Sequence, residues 1–316
     1  MNNLNNLNKI IIIVCLIFLI FFLQNTISNI EQFENIPIDI GNYLSDYFYN
    51  LGTSILLQKD YSYAPPDVDF FRNLPTSIPY SSIDPSIYAN LTANGITHDE
   101  FIKKFDCKVC LWFVNNNMNH AFWTSMRPII NSILDETLIK SNLKKVVEYP
   151  VIHFRCADTP FVRHGQYHFQ KYKFYKKTLE RINSTLSQSY SKVILLSCNF
   201  HRSDEEKKVA CGSYTSSLSE YLKSISYEPI VECKSNIEDF ATIFYAPAVI
   251  SIGSSFSFMS GFFGKGLFFS GGHREESDAE GGCDTCNNWL DYTDEIKHNT
   301  VKDYYKAEQV IKILQS

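Results

Sequence analysis

Along the C-terminal half of the chain, short apolar runs alternate with segments whose apolar residues recur every three or four positions. The runs at 151–155, 192–198, 229–233, 248–253 and 267–270 predict strands. The segments at 173–186, 215–226, 236–245, 255–263 and 301–314 predict helices, the third of them capped by Ser235 or Asn236. Strands that alternate with helices in this way predict an α/β fold built on a doubly wound, mainly parallel sheet. Upstream the pattern is weaker. Residues 110–114 predict one further strand, and Pro128 suits the first position of a helix ending near residue 139. Between 61 and 85 lie Pro65, Pro66, Pro75, Pro79 and Pro85 among serines and tyrosines, which excludes a regular helix or a central strand and predicts a tether.

Near the amino end, residues 10–23 form an unbroken apolar run behind Lys9. A run of this length serves as a signal anchor in a thin bilayer, or as the hydrophobic region of a signal peptide cleaved near Thr26-Ile27-Ser28 and leaving a secreted chain. Lys9 favours a cytoplasmic start with the bulk of the chain translocated. The organisation expected is a tail and anchor over 1–28, a Pro-rich stem over 29–100, a small N-terminal lobe over 101–148 and a larger lobe over 149–316. Two sequons, Asn90-Leu91-Thr92 and Asn183-Ser184-Thr185, agree with an export route.

Composition narrows the partners. The 316 residues are 45% hydrophobic and carry a formal net charge of −5, enough apolar content for one large core or two smaller ones and no broad basic surface, so nucleic acid is not an expected partner. Of nine cysteines, Cys15 lies in the apolar run. The others are even in number, which in an exported domain predicts disulfides. Cys198 with Cys211 is the expected pair, because it closes the polar loop at 201–208. The two CxxC pairs, Cys107 with Cys110 and Cys283 with Cys286, also have the spacing of a structural zinc site, which stays open beside the disulfide reading.

Three peptides carry candidate chemistry. His153-Phe154-Arg155-Cys156-Ala157-Asp158 follows a strand, where residues face the ligand crevice of a parallel sheet. His153 and Arg155 share a side by alternation. Arg155 can clamp a phosphate bidentately, and Asp158 can orient it or accept from loop amides. Without a ligand the same residues make a surface Arg–Asp pair beside a buried histidine. Ser251-Ile252-Gly253-Ser254-Ser255-Phe256-Ser257 joins a strand to a helix, and amides at such a start attract anions. Gly253 permits close approach, and Ser254 and Ser255 add hydroxyls; plain serine capping is the simpler reading. In Ile237-Glu238-Asp239-Phe240 a carboxylate can accept two N–H bonds from guanine, or merely favour a first helical turn. The loop from Thr159 to His168 is aromatic and basic, and His164 or His168 in it is a candidate general base as well as an ordinary loop histidine. Asp67-Val68-Asp69 has the form of a metal-binding DxD pair but lies in the Pro-rich stretch, away from any strand end.

Val151-Ile152-His153-Phe154-Arg155-Cys156-Ala157-Asp158 resembles the HxRxxD peptide of the α1,2-, α1,6- and protein O-fucosyltransferase superfamily, and Ser254-Ser255-Phe256-Ser257-Phe258 resembles its later Ser-Ser-Phe peptide. Asp239 precedes Ser255 at the separation found there between a guanine-binding Asp and a phosphate-binding Ser. The resemblance implies a GT-B-like fold of two Rossmann-type lobes behind an N-terminal membrane anchor. It implies a metal-independent, inverting transfer of fucose from GDP-fucose to a glycan or protein acceptor in the Golgi or ER lumen, without a cofactor. Arg155 would then grip the β-phosphate, Ser254, Ser255 and Phe256 would contact the diphosphate, Asp239 would read guanine and His153 would line the pocket. The chain departs from the family where a Gly-rich turn is usual, having Val114-Asn115-Asn116-Asn117-Met118-Asn119-His120, and where a second basic residue is usual, having Cys156. The alternatives are another nucleotide-sugar donor, a non-catalytic glycan-binding membrane glycoprotein, or a zinc-stabilised interaction module.

Overall fold

In helix α1 (Ile40–Leu56), Ile40, Leu44, Tyr47, Phe48, Leu51 and Ile55 fall on one stripe at helical spacing, and all are buried. The computed structural model describes residues 39–104, 117–156, 161, 169–198, 204–252, 254–270, 289–291 and 304–316. The apolar run at 10–23, the 110–114 segment and both CxxC pairs lie outside them. Among the described residues no helix is long and apolar enough to cross a membrane.

The tether expected over 61–85 is instead part of the core. Strand β1 (Tyr61–Ser62) pairs antiparallel with β2 (Ser77–Ile78) around the single turn α2 (Asp69–Arg72). Tyr61, Phe70, Phe71 and Leu74 are buried. Tyr47 and Tyr61 meet edge to face at 5.2 Å, and the Tyr47 hydroxyl donates to the Pro75 carbonyl at 2.7 Å. The prolines shape turns: Pro85 opens α3 (Pro85–Ala93) behind Asp84, whose carboxylate accepts from the Ser86 N–H. Aromatic burial therefore outweighs the breaking tendency of the prolines. Helix α4 (His98–Lys104) follows, and then α5 (Asn117–Lys140), which runs through Pro128 rather than starting there. The Asp67 and Asp69 carboxylates are exposed and held by Arg72.

The sheet supplies the second layer. Strands β3 (Val151–His153), β4 (Lys192–Leu196), β5 (Glu228–Glu232), β6 (Ala248–Ser251), β7 (Leu267–Ser270) and β8 (Trp289–Asp291) pair in parallel in the order β5-β4-β3-β6-β7-β8. Crossovers run through α6 (Tyr172–Thr185), α7 (Glu205–Ser224), α8 (Asn236–Tyr245) and α9 (Ser255–Ser257), which continues as a π-turn over Phe258–Phe262; α10 (Ala307–Gln315) closes the chain. One sheet face carries Ile152, Val193, Leu195, Ile250 and Phe269 in a buried cluster with Leu179, Leu218 and Val310 of α6, α7 and α10. Val151, Val249 and Phe268, one residue off in register, are buried too, and Phe258 packs on Phe268 at 6.1 Å. With both faces covered, β4 and β6 read as near-continuous apolar runs, while β5 at the sheet edge is only partly buried.

The architecture is thus α/β, Rossmann-like, with a parallel sheet. Residues 40–140 contribute helices and the β1–β2 ribbon, and no second parallel sheet occurs among the described residues. Arg127 and Asn131 of α5 donate to the Phe262, Phe263 and Gly264 carbonyls, satisfying the end of the π-turn.

Cysteine pairing departs from expectation. The disulfides are Cys156–Cys211 and Cys198–Cys233, not Cys198 with Cys211. The cause is the length of α7, which begins at Glu205 behind the Asp204 cap, ten residues before the helix expected at 215. Cys211 is therefore a buried helical residue facing Cys156 rather than a loop residue. The sequon Asn183 is also committed: its amide donates to the Tyr227 hydroxyl at 3.0 Å and accepts from the Tyr190 N–H at 3.2 Å.

If α1 belongs to the core, Phe48→Ala leaves a cavity and lowers the unfolding free energy by about 3–5 kcal/mol. Urea denaturation of the variant checks this, and a change below about 0.5 kcal/mol, the scale of surface substitutions, would return the segment to the stem expected over 29–100.

Candidate functional site

In chain order the six parallel strands are arranged 3-2-1-4-5-6, so the winding direction reverses between β3 and β6. His153 and Ser251 are the last register pair of those two strands. The helix after β3, α6, packs on the face of Ile152, and the π-turn after β6 packs on the face of Phe268. A crevice at such a reversal is where open α/β sheets bind ligands.

Arg155 and Ser254 come from these two loops, and the guanidinium Nη1 donates to the Ser254 hydroxyl at 3.4 Å. Ser254 caps α9, its Oγ accepting from the Phe256 N–H at 3.2 Å. Ser251 and Ser257 share a 2.6 Å hydrogen bond beneath the turn. The Phe256 ring lies 5.5 Å from the His153 ring and 5.7 Å from that of Phe240, so it links the β3 end to the first turn of α8. Gly41 of α1 backs the same turn: a Cβ there would lie 2.4 Å from the Phe256 nitrogen and 2.6 Å from Ser255 Oγ. The Ser255 hydroxyl consequently faces α1, and the Phe256 amide is occupied by the cap. The Ser254 hydroxyl is thus the one of this turn that meets Arg155.

His153 is half-buried, but its Nδ1 is enclosed and has no hydrogen-bond partner among the described residues. Burial, helped by the positive charge of Arg155, pushes the imidazole down to about 3, so the ring is neutral at physiological pH.

Asp239 lies at the other end of the crevice, in the first turn of α8. Glu238 beside it is consumed by the capping box, accepting from the Ser235 hydroxyl at 2.8 Å and the Ser235 N–H at 3.3 Å. Those bonds hold the Glu238 carboxyl below the usual range. Asp239 instead is 3% exposed. Burial pushes its carboxyl up to about 6, against the opposing pull of the Lys234 N–H bond and of Lys145 and Lys234. Lys145 Nζ anchors this turn by donating to the Glu238 carbonyl and Thr242 hydroxyl, both at 2.9 Å. One Asp239 oxygen is 3.2 Å from Cys198 Sγ, and the Cys198–Cys233 bridge ties the ends of β4 and β5 together there. Cys198, Cys233 and Asp239 would be a set of metal ligands with free thiols. In the disulfide both sulfurs are neutral, which leaves the carboxylate as the one strong donor of the three.

No family model matches the chain, and no curated protein or solved structure was found to match it.

The site is therefore read from geometry. The structure brings together His153, Arg155, Ser254, Ser255 and Phe256, with Asp239 joined to them through Phe240. Asp158, Gly253, His164 and His168 lie outside the described residues. Sequence reasoning missed Gly41, Lys145 and Phe240. A glycine inside a helical stripe was the available signal for the first, since it lowers helix stability without a local reason.

A raised carboxyl pKa fixes the sign of a pH effect. The folded state holds the Asp239 proton more tightly than the unfolded one, so stability falls as pH rises from the unfolded carboxyl range through about 6. Above that the full cost of a buried carboxylate is present. Asp239→Asn should accordingly stabilise the protein at pH 7.5 by roughly 1–3 kcal/mol and have little effect at pH 4. Chemical denaturation at the two pH values checks this; an equal effect at both would remove the buried-carboxyl argument.

Proposed function

We propose that the chain is a glycosyltransferase that takes its sugar from a nucleoside diphosphate donor, most specifically fucose from GDP-fucose. The observation that carries the reading is that Arg155 and Ser254, the two residues of the separate peptides that resemble the fucosyltransferase superfamily, meet at the reversal of a parallel sheet. The ends of β3 and β5 are two strand spacings apart, roughly 10 Å. That is the scale on which a ribose separates a base from its diphosphate, so Asp239 and Arg155 can serve one nucleotide. The neutral His153 ring and Phe256 lie between these ends as a wall.

Chemically, charge builds on the diphosphate as the glycosidic bond to the sugar breaks. A guanidinium fixed beside a hydroxyl, in a crevice with apolar walls, stabilises that charge more than the ground state. Asp239 accepts from the N1 and 2-amino hydrogens of guanine as a carboxylate, and binding there favours its ionised form. Inverting, metal-independent transfer to a glycan or protein acceptor, anchoring through residues 10–23, residence in the Golgi or ER lumen and a GT-B arrangement complete the proposal.

A thermal-shift screen tests it. GDP and GDP-fucose should raise the melting temperature of the oxidised full chain through linkage, and UDP and CMP should not. Arg155→Ala removes a charge-assisted contact with the diphosphate and should weaken GDP about 10–100-fold with the fold intact. A preference for UDP removes fucose. Unchanged GDP affinity in Arg155→Ala removes the phosphate role, and binding without turnover on any acceptor leaves a lectin-like glycoprotein.

A further inference from the structure

Helix α1 contains two glycines, Gly41 and Gly52. Each lowers intrinsic helix stability by about 1 kcal/mol relative to alanine. Neither has the positive φ for which glycine is suited, so close packing is the reason for both. What they pack against differs. A Cβ on Gly52 would come within 2.5 Å of the Phe122 ring, the far end of a side chain. On Gly41 it would come within 2.4 Å of both the Phe256 nitrogen and the Ser255 carbonyl carbon. A ring can swing aside. The backbone at 255–256 cannot move without carrying Ser254 with it, because the Phe256 N–H is bonded to the Ser254 hydroxyl at 3.2 Å.

From this we infer that Gly41 is a positioning residue for the diphosphate end of the crevice. Resting on the proposed nucleotide-donor reading, the inference extends it to a part of the chain with no place in the resembling peptides. The bare backbone of the first turn of α1 is the back wall of the Ser254 turn. It sets the direction in which the Ser254 hydroxyl faces Arg155. A methyl group at 41 acts as a wedge behind that turn and leaves the Asp239 end, on α8, where it is.

Calorimetric titration of the full oxidised chain with GDP and with guanosine tests this, together with hydrogen exchange over 251–262 in the absence of nucleotide. Gly41→Ala should weaken GDP at least 10-fold, leave guanosine within about twofold and speed exchange at 255–262. Gly52→Ala should lower the melting temperature but leave GDP affinity within about twofold and that exchange unchanged. Ile40→Ala, which loosens the same turn without inserting an atom, should weaken GDP about threefold and guanosine not at all, and it decides the matter if Gly41→Ala does not fold. The inference is overturned if Gly41→Ala binds GDP as the parent does, if GDP and guanosine weaken together, or if Gly52→Ala loses as much. If the parent protein binds no guanine nucleotide, the donor reading fails, and exchange at 255–262 still decides the role of Gly41: unchanged exchange in Gly41→Ala overturns it.

Discussion

Two strands that are neighbours in space but far apart in sequence, β3 and β6, set the conditions for the carboxyl end of the sheet. Because the winding of the sheet reverses between them, the chain after His153 leads to a helix on one face and the chain after Ser251 to helical turns on the other. Arg155 and Ser254, which follow these two strands, meet there. A guanidinium is the side-chain group that can meet an anion through two parallel hydrogen bonds.

The surroundings show what the fold sacrifices to make the place. Asp239 is held in an environment that resists its ionisation, and His153 is kept neutral with one ring nitrogen unsatisfied. Each lowers stability, since a buried polar group without a full set of partners is unfavourable. The compensation comes from packing nearby. Phe70, Phe240 and Phe256 form a continuous line of rings from the α2 turn to the crevice, and α5 ties its side chains to the end of the π-turn. The segment before the sheet is therefore a buttress for the site. Its aromatic residues give the crevice a rigid back.

Legibility from sequence divides along physical lines. The strands at 192–196 and 248–251 were readable because both faces of the sheet are buried there, so each appears as a β-branched or leucine-rich run. The strand at 228–232, a partly exposed edge strand, was readable from Ile230 and Val231 between helical segments. The α8 boundary was readable because Ser235 and Glu238 form a box of fixed spacing. Helix α1 was obscured because tyrosines and two glycines interrupt its apolar stripe, and because prolines downstream suggest an extended chain when tertiary contacts are not visible. The start of α7 was hidden by Glu205, Glu206, Lys207 and Lys208, charges that suit an exposed first turn as well as a loop. That error produced the wrong cysteine partner, since a one-dimensional loop argument cannot see that residue 211 points inward. At the site, the Arg155 and Ser254 peptides were readable as types, while the occupied Phe256 amide and the inward-facing Ser255 depend on a helix from elsewhere in the chain.

Both bridges fasten elements that leave the same edge of the sheet. Cys156 and Cys198 come directly after β3 and β4, Cys233 directly after β5, and the partner of Cys156 sits on α7. The opposite edge has no such staple among the described residues. Oxidation thus adds to packing at the carboxyl rim, while the rest of the sheet is ordered by strand pairing and burial. Chain produced where glutathione keeps thiols reduced would assemble its strands yet leave that rim held only by packing. Material from an oxidising secretory route and material from a reducing cytosol would then share a circular-dichroism spectrum and differ at the rim that carries Arg155 and Asp239.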